Sequence, residues 1–554
     1  MKNKLFSTIG LRVLGGFMVL IGLGISAQAQ TLSAADVQTI IAQAVSTAVS
    51  LNQKVTVSVT DKEGHLLGTF VMTGASATTL IRSVGTAGQG LENLSVSATA
   101  ASHSKAGTAG LFATGGNAFT TRTASFIIQE HFPPGDDNRP GGPLYGVQFS
   151  SLACSDVAIA GLPLGLSGDP GGIPLYKNGV AVGGVGIEGD GLYTIDRNPN
   201  DDDQPFEEII AFAAARGFES PALIRADNIL VEGIRLPWGN VPNPPVVPTI
   251  AFGSLPGAVT NPGGIIATPA SDFVPTTLNG VSGQSSVRFP TVAGSSLTAV
   301  EVNQILGAAA GYANITRAGI RQPLGSNARV TIAVVDTNGN VLGIFRQLDA
   351  PVFGLDVSVQ KARTSNFFAR TDAGSKLTTA GFSSYVTRAN ADGLSLTGNI
   401  AFSDRGFGYL HRPLFPDGIN FTQEGPFSTS LTNWSPFNDG LQLDLIRTSL
   451  TTPCAPGIKG KSPRRGVPLG VACPCSAIPE VRNGIQIFAG GIPLYRGNTL
   501  VGAIGVSGDG IDQDDLIAAG GANNFAPPQG MWSDKFFVRG VRLPFLKFPA
   551  RPFL

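Results

Sequence analysis

Few residues in this chain could do chemistry, and several lie in a stretch that occurs twice. Gly171 to Gly191 reads GGIPLYKNGVAVGGVGIEGDG and Gly490 to Gly510 reads GGIPLYRGNTLVGAIGVSGDG, with 12 of 21 positions identical at an offset of 319. Self-similarity of this kind predicts a duplicated unit. The later stretch holds Gly505-Val506-Ser507-Gly508-Asp509. It has the serine of a hydrolase motif but lacks the final glycine, and Ser507 reads as lying inside a strand, not at a strand-to-helix elbow. The earlier stretch has Glu188 at the same place. No G-K-[ST] follows the glycines, which argues against a phosphate cradle. An acidic run, Asp190, Asp196, Asp201, Asp202, Asp203, Glu207 and Glu208, offers the hard oxygens that calcium takes. Its spacing matches no EF-hand, and the second copy keeps only Asp509, Asp512, Asp514 and Asp515. It therefore reads as a solvated loop with acidic residues at a helix N-terminus. The four histidines, His65, His103, His131 and His411, include no pair at metal-site spacing. No metal site is expected.

Of the four cysteines, Cys454, Cys473 and Cys475 lie close together and Cys154 lies in the first copy. An oxidising compartment would permit a disulfide from Cys454 to Cys473 or Cys475, stabilising by about 3 kcal/mol. Zinc ligation by these three is the less favoured reading, since no histidine is near. The N-terminus predicts that compartment. Lys2, Lys4 and Arg12 precede an apolar run from Val13 to Ile25, and Ala27-Gln28-Ala29 has the small-x-small form of a signal-peptidase site. Residues 1–29 are thus expected to be a signal peptide, and the mature chain periplasmic or secreted. The alternative, an uncleaved anchor, is disfavoured by the short apolar run.

Composition limits the rest. Charged residues are 14 % of the 554, against about a quarter in ordinary domains. Gly 72 and Pro 38 favour short strands and many turns. Lys+Arg 38 balances Asp+Glu 38, leaving no basic excess for nucleic acid. After residue 30 no stretch approaches a membrane span.

The elements that must position these residues recur in order. Ser33, with Asp36 three positions on, opens a helix carrying Val37, Ile40, Ile41, Ala44, Val45, Ala48 and Val49 at helical spacing. A hairpin follows, turning at Asp61-Lys62-Glu63-Gly64, then a second helix around Ser102 to Ala109. The second copy has a helix from Thr298, a turn at Asp336-Thr337-Asn338-Gly339, and a helix around Ser358 to Ser365. Long irregular insertions, about 112–165 and 368–485, precede the glycine-rich hairpins. In those hairpins two apolar runs flank a polar turn, Lys177-Asn178-Gly179 in the first. The bare glycines suit either a close approach by a neighbouring backbone or a bound flat ligand. The first copy then has a helix in Pro205 to Gly217, and both copies end alike, at 229–238 and 536–545. Residues 241–296 read as a Pro/Gly-rich linker. The expectation is an α+β protein with two domains, 30–240 and 297–554, each an antiparallel sheet covered by helices.

The ordered motifs resemble those of the GlcG/HbpS-like haem-binding family. In the first copy they are Asp61-Gly64-Leu66, Lys105-Ala106-Thr108, Gly171-Gly172-Pro174-Leu175 and Gly183-Gly186-Ile187-Gly189. In the second they are Asp336-Gly339-Val341, Lys361-Ala362-Thr364, Gly490-Gly491-Pro493-Leu494 and Gly502-Ile504-Gly505-Val506-Ser507-Gly508. The resemblance implies two tandem profilin-like domains and a haem or related tetrapyrrole as partner, handled without turnover; a homo-oligomer or protein partner is also in keeping with it. Haem needs an apolar slot and usually an axial donor. His103, beside Lys105, is the first candidate, followed by His65, His131 and His411. Lys105 and Lys361 could pair with a propionate, against the plainer reading of exposed helix lysines. The alternative function is a structural or protein-interaction module on the same scaffold without haem.

Overall fold

The computed structural model describes residues 30–201, 203–451 and 474–547. The expected signal peptide, Asp202, Cys454 and Cys473 lie outside the described residues. Helix α1 (Ala34–Ser50) starts in a capping box in which Ser33 and Asp36 bond each other's backbone N–H. Strands β1 (Thr56–Asp61) and β2 (Leu66–Met72) form the first hairpin. A small sheet of β3 (Thr78–Ile81) and β4 (Ser95–Ser97) leads into α2 (Ala98–Phe112), and α3 (Thr121–Ile127) follows. The glycine-rich hairpin is β5 (Gly172–Lys177) and β6 (Val180–Glu188), and Asn178 and Gly179 at its turn both have positive φ, as a tight hairpin turn requires. Strand β7 (Leu192–Tyr193) pairs with β3, then come α4 (Phe206–Ala214) and the hairpin β8 (Leu230–Val231) and β9 (Ile234–Arg235).

In β1, side chains alternate between two helical layers. Ser58 bonds Ser102 of α2, while Val59 sits opposite Gly68, whose bare face meets Val37 and Ile41 of α1. The sheet is therefore sandwiched, with α2 on one face and α1 on the other. The second half repeats this order. Residues α5 (Ala299–Ala313), β13 (Val330–Val335), β14 (Val341–Gln347), α6 (Gly354–Phe368), β15 (Gly491–Arg496), β16 (Thr499–Gly508) and α11 (Ile511–Ala522) correspond to α1, β1, β2, α2, β5, β6 and α4. Strand order is β2-β1-β6-β5 in one sheet and β14-β13-β16-β15 in the other, antiparallel throughout. Ser58 faces Gly186, and Ala333 faces Gly505. The protein is thus of mixed α+β class, with antiparallel sheets covered by helices. Among the described residues no helix is long and apolar enough to cross a membrane.

Three expectations change. Residues 241–296 are part of the sheets. Strand β10 (Gly257–Val259) extends the first along β2, while β11 (Phe273–Leu278) and β12 (Val281–Ser286) extend the second along β14. Edge pairing of backbone groups holds this stretch where side-chain periodicity gave no signal. The described parts of the insertions also carry regular structure. The second contains α7 (Ala373–Thr379), α8 (Ser383–Ala391), α9 (Asp404–Tyr409) and α10 (Leu441–Thr451), and a last hairpin, β17 (Phe537–Val538) with β18 (Val541–Arg542), matches β8–β9. Finally, Cys475 is bonded to Cys154, 321 residues away, and not to Cys454. This bond ties the two insertions together. Cys475→Ser is expected to cost about 2–4 kcal/mol in denaturant unfolding, and an unchanged midpoint would argue against it.

Candidate functional site

Each half buries a lysine under its glycine-rich hairpin. Lys105 on α2 is fully enclosed, and its Nζ lies 2.7 Å from Asp169, 3.1 Å from Glu188 and 2.6 Å from Glu207. Burial disfavours its charge, but the three carboxylates outweigh this and hold its pKa well above the usual value. Burial in turn raises Asp169 and Glu188 and pushes Glu207 up to about 8, against the pull of Lys105. The three carboxylates offer oxygens within 4.8 Å of one another, a spacing open to a metal ion. The lysine ammonium already stands among them as the cation. In the second half Lys361 Nζ donates to Asp514 Oδ2 at 2.8 Å and to the Val506 carbonyl at 2.8 Å, and lies 4.6 Å from the centre of the Phe488 ring. Phe488 and Ser507 stand where the first half has Asp169 and Glu188. Burial pushes Asp514 up to about 7. Both lysines were expected to be exposed. They are core groups, unavailable to a propionate without breaking these bonds.

A second ion pair recurs beside each lysine. Arg122 Nε donates to Glu208 at 2.8 Å, and Arg405 donates to Asp515 and, at 2.7 Å, to Asp512. Thr120 and Ser403, which cap α3 and α9, reach the carbonyls of Trp238 and Phe545. Glu207 and Glu208, read from sequence as solvated, are therefore buried acids with fixed partners. The repeated spacing of Glu207-Glu208 and Asp514-Asp515 to the shared chain ends was the sequence signal for them. Asp169, Arg122 and Asp404 carried no local signal.

The histidines are not brought together. His65 Nδ1 bonds Asp61 Oδ2 at 2.9 Å; burial opposes its charge, yet Asp61 raises its pKa overall. His103 Nε2 lies 3.4 Å from the Gly64 carbonyl, and burial pushes it down to about 4. His131 Nδ1 is 2.7 Å from the Arg139 carbonyl. His411 is fully buried against Phe407 and Phe427, is pushed down to about 3 by burial, and has no partner for Nε2.

The glycine faces are filled by protein. A Cβ on Gly184 would lie 2.2 Å from the Ala106 carbonyl oxygen, and one on Gly505 1.9 Å from that of Ser358. Of the two readings of the bare glycines, close approach of a helix backbone is the one realised. The larger described cavity, about 170 Å³, lies instead between the halves. The first half contributes Phe112, Phe119, Ile127, Leu144, and Leu230 to Glu232 of the β8–β9 hairpin, and the second contributes Ile320, Phe353 and the 507–514 segment apart from Asp509. Phe112 and Phe353 meet edge to face across it, centroids 4.7 Å apart. Ser507 Oγ and Asp514 Oδ1 are buried in its lining without partners. Its walls suit an apolar ring system. Its donor set does not fit an axially ligated haem, because no His, Met, Tyr or Cys lines it.

The titration shifts make stability pH-dependent. Glu207 titrates at about 8 and Asp514 and Asp439 at about 7 in the folded chain, against about 4 when unfolded. Between those values the folded state holds protons that the unfolded state has released. Stability should therefore fall as pH rises from about 5 to about 8, by about 1.4 kcal/mol per unit for each such group, and flatten above. Denaturant midpoints at the two pH values check this. A higher midpoint at the upper one would contradict it.

The architecture defines a helix-covered antiparallel-sheet protein with a buried lysine in each half. Residues 471–523 match the family model described as "Haem degrading protein HbpS-like", so the resemblance seen in the motifs is to the HbpS-like family. The matched stretch holds β15, β16 and α11, including Ser507 and Asp514. No curated protein matches the chain. Among solved structures, a PduOC–haem complex is 22 % identical with a TM-score of 0.22, covering 34 % of this chain and 96 % of that one. Klebsiella pneumoniae protein ORFY is 21 % identical at 0.22, covering 35 % and 96 %. A Streptomyces reticuli HbpS double mutant is 18 % identical at 0.21, covering 38 % and 97 %. Likeness at this level carries no argument about function.

Proposed function

We propose that this chain is an exported, non-catalytic ligand-binding protein of the HbpS-like, haem-handling kind, built from two diverged copies of one profilin-like unit, 30–240 and 297–554. The cleft between the copies is where it takes its ligand. One observation carries this reading. The stretch matched by the HbpS-like family model, 471–523, contains the Ser507 to Asp514 segment that forms the polar end of the cleft. The family description favours haem, and with no axial donor in the lining a haem in this cleft would be held by contacts to its ring and edge alone. The cleft holds about 170 Å³, below the roughly 300–1,000 Å³ of ordinary ligand sites, so haem enters only if the exposed β8–β9 lip moves aside. Haemin titration of the mature chain should give a Soret band near one equivalent per chain. The band should be unaffected by His103→Ala and His411→Ala, since neither residue lines the cleft. No band under oxidising or reducing conditions would overturn the haem reading. The second reading, an interaction module without haem, is favoured by the scattered histidines and the filled glycine faces.

A further inference from the structure

Two buried polar atoms in the cleft have no partner inside the protein. Ser507 is 1 % exposed and Asp514 is 2 % exposed, and neither Ser507 Oγ nor Asp514 Oδ1 makes a hydrogen bond. Such atoms are rare in folded proteins, because leaving one unpaired forfeits its bond to water. Lys361 already holds Asp514 Oδ2, while Oδ1 is buried with no donor of its own. Phe112, Phe119, Leu236 and Phe353, all nearly fully buried, form an apolar wall, and Asn117, Glu232, Asp512 and Gln513 also line the cleft. The volume, about 170 Å³, is close to the roughly 150 Å³ at which an apolar cavity accepts a benzene ring.

We infer that the cleft binds a single-ring aromatic bearing a hydroxyl or amino donor, of the phenol class, with its ring against Phe112 and Phe353 and its donor on Asp514 and Ser507. Aromatic walls favour a ring through edge and face contacts. The unpartnered Asp514 Oδ1 is an acceptor, so it selects a donor over a ligand carboxylate, which brings only further acceptors. The inference rests on the cleft being a ligand site and not on haem being its ligand.

Calorimetric titration of the full mature chain with phenol and with toluene tests it. Phenol should bind about tenfold tighter than toluene, the difference one hydrogen bond to a buried acceptor makes. Ser507→Ala should reduce that preference and leave toluene binding unchanged; Ser507 Oγ has no internal partner, so the fold loses no bond. Equal binding of both compounds, binding of neither, or an unaltered preference in Ser507→Ala would overturn the inference. Phenol binding without a haemin Soret band removes the haem reading and keeps this one. A haemin band without phenol binding does the reverse.

Discussion

Lys105→Ala is expected to destabilise the protein by about 3–5 kcal/mol, the range for removing one partner from a buried charge cluster. Among the described residues the lysine is the only cation within bonding distance of Asp169, Glu188 and Glu207, all of them buried. Without it, the carboxylates must take up protons or water. Glu188→Gln should cost far less, under about 1 kcal/mol, because burial already favours the neutral form and the lysine keeps two partners. Lys361→Ala should fall toward the lower end of the range. Its partner Asp514 titrates at about 7 and can take a proton, and Asp404 beside it is held well above the usual carboxylate range by burial. Urea unfolding of the three variants checks the order. If Glu188→Gln costs as much as Lys105→Ala, the cluster is not held by charge in the way described.

The second large effect concerns the glycine strands. Gly505→Ala places a methyl 1.9 Å from the Ser358 carbonyl oxygen and 2.6 Å from the Ala362 nitrogen, both backbone atoms of α6. No rotamer change relieves this, so the helix must lift from the sheet. The cost should reach or exceed about 3 kcal/mol, the upper end for overpacking a core. Gly184→Ala, at 2.2 Å from the Ala106 carbonyl oxygen, should behave alike. Gly311→Ala is the contrast. It lies within α5 with nothing inside 4 Å of the added Cβ, and should stabilise by about 0.5–1 kcal/mol. Thermal unfolding separates the two cases. A tolerated Gly505→Ala would mean that the helix does not lie on the strand as described.

Much of this architecture was legible where periodicity and turn chemistry act locally. Ser33 with Asp36 and Thr298 with Glu301 announced capping boxes, and both form. The Asn178-Gly179 turn announced its hairpin. The helix α11 was missed, since its Asp-rich start and two glycines, Gly520 and Gly521, weaken the apolar period. The edge strands in 257–286 were missed because exposed strands need little apolar patterning once their backbones are paired. The insertions hid a recurring feature. Thr120-Thr121-Arg122 and Ser403-Asp404-Arg405 cap short helices and reach equivalent acids, yet too few residues agree for the repeat to show in sequence. The site was the least legible part. Lys105 and Lys361 were picked out by motif, but their burial depends on Glu207 and Asp514, 102 and 153 residues away. The histidines drew attention as candidate donors, while the cleft is lined by phenylalanines and a serine that sequence gave no reason to group.

The account turns on the cleft between the two halves being the ligand site. Haemin titration of the wild-type chain beside Ile320→Trp, whose larger side chain would fill the cleft from the second half, tests this most directly. The account predicts a Soret band for the wild type and its loss in a variant that still unfolds cooperatively. A band of equal strength in both would place the ligand elsewhere and contradict it.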